Sequence, residues 1–118
     1  MQIEGWLIQE LGPLTPQRST DTLIKKRYSA FFETPLEALF DTLQPATLVI
    51  AGINTHACVR TTVIDAYQRD DDVIVASDCI GSYDAEHHDV TVRYLDGHMA
   101  RFMSNDAVGQ LLAATRDG

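Results

Sequence analysis

The chain has 118 residues, 45% of them hydrophobic and 22% charged, a composition that fits one compact domain and excludes a disordered tail or a fibrous repeat. Seventeen acidic residues against nine basic ones give a formal net charge of −8, which argues against a general nucleic-acid binder, since that needs a basic face to release phosphate counterions. A chain of this length can bury a core without metal or disulfide staples.

In chain order, the Met1 to Leu11 segment, with Trp6, Leu7 and Leu11, is expected to form a helical turn or two. A loop follows from Gly12 to Asp21 with two prolines, and Thr22 to Lys25 is a short β-type run. Thr34-Pro35-Leu36-Glu37 then supplies an N-cap, a proline at the first helical position and a capping-box glutamate. In the helix that starts there, Leu36, Leu39, Phe40 and Leu43 mark one buried face, and Pro45 follows its end.

Ala46 to Ala51 is an apolar run closed by Gly52, the pattern of a strand buried on both faces of a parallel sheet. From Thr55 to about Arg69 the period becomes helical, with Val59, Val63, Ala66 and Tyr67 on one stripe, and Val73 to Ala76 is another buried strand. A further helix is expected between about Asp84 and Met99, where Val92, Leu95 and Met99 share a face, and Asp106 caps a short closing helix. Alternation of strand and helix implies a parallel α/β sheet with right-handed crossovers.

In open α/β sheets the site lies outside the carboxyl ends of the strands, so the informative positions follow Ile24, Ala51 and Ala76. Gly52-Ile53-Asn54-Thr55-His56-Ala57-Cys58 joins the best strand to its helix and puts Cys58 in the first helical turn. Unpaired amides at such a turn stabilise a thiolate and can hold an oxyanion. Position alone leaves two readings of Cys58 open, a nucleophile or a small buried residue. Lys25 and Lys26, the only lysines, end the first strand, and alternation sends one inward and the other away. A lysine near Cys58 favours its thiolate and steers an acyl substrate, although paired lysines are also an ordinary solvated strand end.

His56, His87, His88 and His98 show no ligand spacing, and no metal site is expected. His56 is read as a surface or supporting histidine. Asp70-Asp71-Asp72 is read as a solvated turn, Asp78 as a capping or turn residue, and Cys79 as core. With two cysteines, no basic leader and no run able to cross a bilayer, a reduced, cytoplasmic setting is expected, with no membrane partner.

Taken together, L-I-K-K-R-Y-S-A-F (23 to 31), T-P-L-E-A-L (34 to 39), L-V-I-A-G-I-N-T-H-A-C-V-R-T-T-V-I-D-A (48 to 66) and V-I-V-A-S-D (73 to 78) resemble the isochorismatase-like cysteine hydrolase superfamily. That family includes nicotinamidases, N-carbamoylsarcosine amidohydrolases, ureidoacrylate hydrolases and isochorismatases. The resemblance implies an α/β, Rossmann-type fold, a three-layer parallel sheet with flanking helices. It makes residues 1–118 one hydrolase domain, N-terminally incomplete, with the first strand–helix–strand unit absent. It places the catalytic lysine on Lys25, the nucleophile on Cys58, the oxyanion amides on Asn54 and Cys58, and a cis peptide at Ile53–Asn54. The implied reaction is attack on a small amide or carbamoyl carbonyl, loss of ammonia or an amine, and hydrolysis of the thioester, with no cofactor.

Members that cleave isochorismate lack a thiol at the position of Cys58, so the resemblance implies the amidohydrolase branch. The family's third catalytic residue, an aspartate in a D-x-Q-type motif, has no counterpart in this chain. Asp21 and Asp78 are the nearest carboxylates available to replace it. The alternative is therefore a noncatalytic scaffold for ligand binding or oligomer assembly. A small-molecule substrate and self-association into a dimer or larger oligomer are the expected partners, because a missing strand leaves apolar edges.

Overall fold

A computed structural model describes residues 7–11 and 24–117. Four strands lie in the order β1 (Leu7–Leu11), β2 (Thr47–Ile53), β3 (Val73–Gly81) and β4 (Arg101–Met103). β2, β3 and β4 are parallel, whereas β1 runs antiparallel to β2 with Leu7 opposite Ala51 and Leu11 opposite Thr47. Among the described residues the α-helices are α1 (Leu36–Leu43), α2 (Arg60–Gln68), α3 (Ala85–Leu95) and α4 (Asn105–Asp117).

The apolar strands are buried on both faces, and their alternate residues divide the core in two. Leu48, Ile50, Val73 and Val75 pack with Val59, Val63, Ala66 and Leu95 on one face. Val49, Ala51, Ile74 and Ala76 meet Val108, with Leu111 and Leu112 against them, on the other. This period-two division produces the three-layer α/β sheet expected from the sequence.

Several elements depart from the sequence pattern. Leu7–Leu11 is a strand rather than helical turns, because pairing with β2 satisfies backbone groups along a sheet edge, which a short isolated helix cannot do. The β-type run at Thr22–Lys25 reduces to a single bridging residue, Ile24, with Thr22 and Leu23 outside the described residues. Thr34 accepts the Leu36 amide at 3.2 Å, yet Glu37 turns to Arg69 at 3.1 Å instead of closing a capping box.

The predicted Asp84–Met99 helix ends at Leu95, and Gly97 at a φ of +79° turns the chain into β4, a strand too short to show a period. The closing helix is longer than expected and starts under Ser104, whose hydroxyl accepts the Ala107 amide, rather than under Asp106.

Candidate active site

The site forms where β2 stops. Gly52 adopts a φ of +131°, a conformation open to glycine without strain, and the Ile53–Asn54 peptide that follows is cis. Asn54 stays extended while its carbonyl accepts from Ala57 at 3.1 Å and from Val59 at 3.2 Å. The second of these bonds spans five residues and makes Thr55–Val59 a wide π-type turn ahead of α2. Cys58, half-buried and a free thiol, is the fourth residue of that turn.

Lys25 reaches the same point from the irregular segment 24–35 ahead of α1. Its side chain is 2% exposed, and its Nζ lies 3.5 Å from Cys58 Sγ. The same Nζ donates to the carbonyls of Arg27 at 3.0 Å and Tyr28 at 3.4 Å. A buried ammonium is costly unless it is hydrogen-bonded, and these main-chain dipoles provide that compensation. Lys26, one residue on, is exposed.

The loop that carries Lys25 is fastened to α2. Buried Thr62 accepts the Ala30 amide at 3.0 Å, Ser29 Oγ accepts the Phe31 amide at 3.1 Å, and the Arg69 guanidinium lies 4.4 Å above the Phe31 ring. Thr62 stands four residues after Cys58, so one helix start holds both the thiol and the loop facing it. Thr62 has no site role in the sequence pattern, where it stands only as the threonine four residues after Cys58 in the C-V-R-T-T run.

Other candidates go elsewhere. His56 is half-buried, with Ser82, Tyr83 and His87 as its side-chain partners. Its Nδ1 sits 2.9 Å from Ser82 Oγ, and its ring packs edge-on against Tyr83 at 5.0 Å and His87 at 5.2 Å. His88 Nδ1 meets the buried Thr55 hydroxyl at 2.9 Å, which fixes the π turn from the α3 side. Asp78 accepts the Asn105 amide at 2.8 Å and so caps α4. Cys79 is exposed rather than core, with its thiol 3.2 Å from Asn105 Oδ1.

The register explains both positions. Ile50 pairs with Val75 but Gly52 pairs with Ile80, so β3 bulges outward through residues 77–79. Asp21 lies outside the described residues. Among the described residues no carboxylate contacts Cys58, and no group of three His, Cys, Asp or Glu side chains could hold a metal ion.

Known proteins share this framework. The model of the isochorismatase domain family matches residues 1–107. Enterobactin synthase component B of Escherichia coli (strain K12) is 30% identical over 93 residues, which is 79% of this chain and 33% of that protein. Ureidoacrylate amidohydrolase RutB of Klebsiella pneumoniae is 41% identical over 63 residues, 53% of this chain and 27% of that protein.

Among solved structures, an isochorismatase-like hydrolase from Alkaliphilus metalliredigens superimposes with a TM-score of 0.75 at 30% identity, covering 84% of this chain and 55% of its own. The nicotinamidase PncA from Bacillus subtilis gives a TM-score of 0.63 at 30% identity, over 65% of this chain and 42% of its own. The chain thus spans about a third of the length of the first of these curated relatives.

Proposed function

The chain belongs to the isochorismatase family, and from that premise we propose that it acts as a cysteine hydrolase on a small amide or carbamoyl substrate. The observation that carries this reading is the 3.5 Å approach of Lys25 Nζ to Cys58 Sγ at the carboxyl end of β2. In the proposed reaction Cys58 sulfur adds to the carbonyl carbon, and the backbone N–H groups of Asn54 and Cys58 hold the resulting oxyanion. The Lys25 ammonium stabilises negative charge on sulfur. Collapse breaks the C–N bond, and the proton given up by the Cys58 thiol leaves on the nitrogen as ammonia or an amine. Water then cleaves the Cys58 thioester to a carboxylic acid and restores the thiol.

The names of the relatives set the substrate range to try first, since they include a nicotinamidase and a ureidoacrylate amidohydrolase. The test is ammonia release from nicotinamide and from ureido acids, alongside mass spectrometry of the protein quenched in acid. Turnover with an acyl group on Cys58, both lost in Cys58→Ala, is the expected result. Full turnover in Cys58→Ala overturns it.

One observation favours a second reading, a noncatalytic scaffold: among the described residues no carboxylate stands beside Cys58 to take its proton. That reading predicts a folded protein without turnover on any amide tested. Self-association and a reducing, cytoplasmic setting complete the proposal, supported by the exposed apolar side chains of Ile24, Tyr28 and Ile53 and by two free thiols. A monomer by light scattering contradicts the self-association.

A further inference from the structure

A second concave site lies on the other side of the π-type turn that bears Cys58. It is a cavity of about 460 Å³ between the start of α2 and the outer face of α3, lined by His56, Arg60, Glu86, His87, Val90 and Tyr94 among others. Its volume falls in the range of small-molecule pockets. His56 and Arg60 are four residues apart and share one side of the turn, while Cys58, midway between them, projects elsewhere toward Lys25. Neither Cys58 nor Lys25 lines this cavity.

Its chemistry is unlike the rest of an acidic chain. The Arg60 guanidinium lies 5.6 Å from the centre of the Tyr94 ring, and among the described residues it makes no ion pair. Two imidazoles, His56 and His87, stand beside it with centroids 5.2 Å apart. The Ser82 hydroxyl engages Nδ1 of His56 and so fixes its ring, leaving Nε2 for another partner. Val90 and Tyr94 supply apolar wall. Glu86 also lines the cavity and Asp84 Oδ2 lies 3.9 Å from His87 Nε2, and these two carboxylates oppose a second negative charge in the same space.

We propose that this cavity binds a small organic monoanion, a carboxylate on a planar or apolar body, at a site separate from Cys58. Arg60 forks onto the carboxylate, the imidazoles of His56 and His87 contact it, and the body rests on Val90 and Tyr94. Glu86 and Asp84 make the site favour a monocarboxylate over phosphate.

The test is a titration of the protein with benzoate and, separately, with inorganic phosphate, followed by NMR of the histidine ring resonances. Saturable shifts at His56 and His87 with benzoate, weaker with phosphate, are expected. Arg60 is exposed, so Arg60→Ala should fold and should weaken benzoate binding roughly tenfold, with Arg60→Lys in between. Cys58→Ser should bind benzoate as the parent does. The proposal is overturned by the absence of saturable shifts, by unchanged affinity in Arg60→Ala, by tighter binding of phosphate, or by loss of binding in Cys58→Ser, which would move the benzoate to the thiol.

Discussion

At the amino-terminal ends of the parallel strands, Asp72 meets Arg101 at 3.0 Å and the Thr47 hydroxyl at 2.7 Å, tying the starts of β2, β3 and β4 together in the open, with the Asp72 and Arg101 side chains 51% and 56% exposed. At the opposite, carboxyl-terminal end, Lys25 is 2% exposed and faces two carbonyls and a sulfur. Both clusters join segments that are distant in the chain. The first resembles the many surface ion pairs whose net contribution is small, because water already solvates both charges. The second keeps a cation out of water, where the Arg27 and Tyr28 carbonyl dipoles help to offset its lost hydration, and that arrangement suits electrostatic work on a reacting group.

The largest expected break of this contrast is Lys25→Ala. It leaves the Arg27 and Tyr28 carbonyls without that donor and opens a void, so urea denaturation should show a loss of about 2 kcal/mol. Next comes Thr62→Val, which removes the acceptor of the Ala30 amide and should cost about 1 kcal/mol while loosening the loop that carries Lys25. Arg101→Ala, at the exposed end, should change stability by at most about 1 kcal/mol, and less in high salt. A loss in Arg101→Ala as large as that in Lys25→Ala would erase the distinction between the two ends.

The smallest effects are those of pH, and they have opposite signs at the two ends. The His87 backbone N–H holds the Asp84 carboxyl below its ordinary value of 3.8. Its contribution is therefore present above that value and lost as the pH falls through the lower folded value. Burial raises the Asp71 carboxyl above 3.8, against the opposing Arg69 charge. Its burial cost is present at neutral pH and disappears as the solution is acidified through the raised value toward 3.8. Stability measured against pH should accordingly show a weaker acid loss in Asp84→Asn and a gain near neutrality in Asp71→Asn.

The parts of the fold visible in the amino-acid order are those that interact locally. The run from Leu48 to Ala51 declares a strand buried on both faces, and the stripe Val59, Val63, Ala66 declares the helix behind it. β1 is hidden because its partner β2 lies 36 residues or more further along the chain, and nothing in Leu7–Leu11 signals that partner. The same holds for β4, whose residues pair with β3 from the far side of α3.

At the site, the motif around Cys58 and the lysine pair are legible as chemistry; strand alternation alone leaves open which lysine turns inward, and the family resemblance singles out Lys25. Their juxtaposition depends on the Thr62–Ala30 bond, a contact of residues 32 apart. Cys79 reads as core because Val73 to Ala76 is core, and the bulge that turns the next three residues outward comes from a register shift against β2 between Ile50 and Gly52. Asp72 looked like a solvated turn, and its pairing with Arg101 depends on the unseen β4.

The central claim is that Lys25 and Cys58 form one chemical unit. The two thiols allow it to be tested inside a single molecule, by following alkylation of Cys58 and Cys79 with iodoacetamide at neutral pH by peptide mass spectrometry, in the parent and in Lys25→Met. Removal of the ammonium should slow Cys58 roughly tenfold and leave Cys79 unchanged. An unaltered Cys58 rate in a folded Lys25→Met protein would contradict the account.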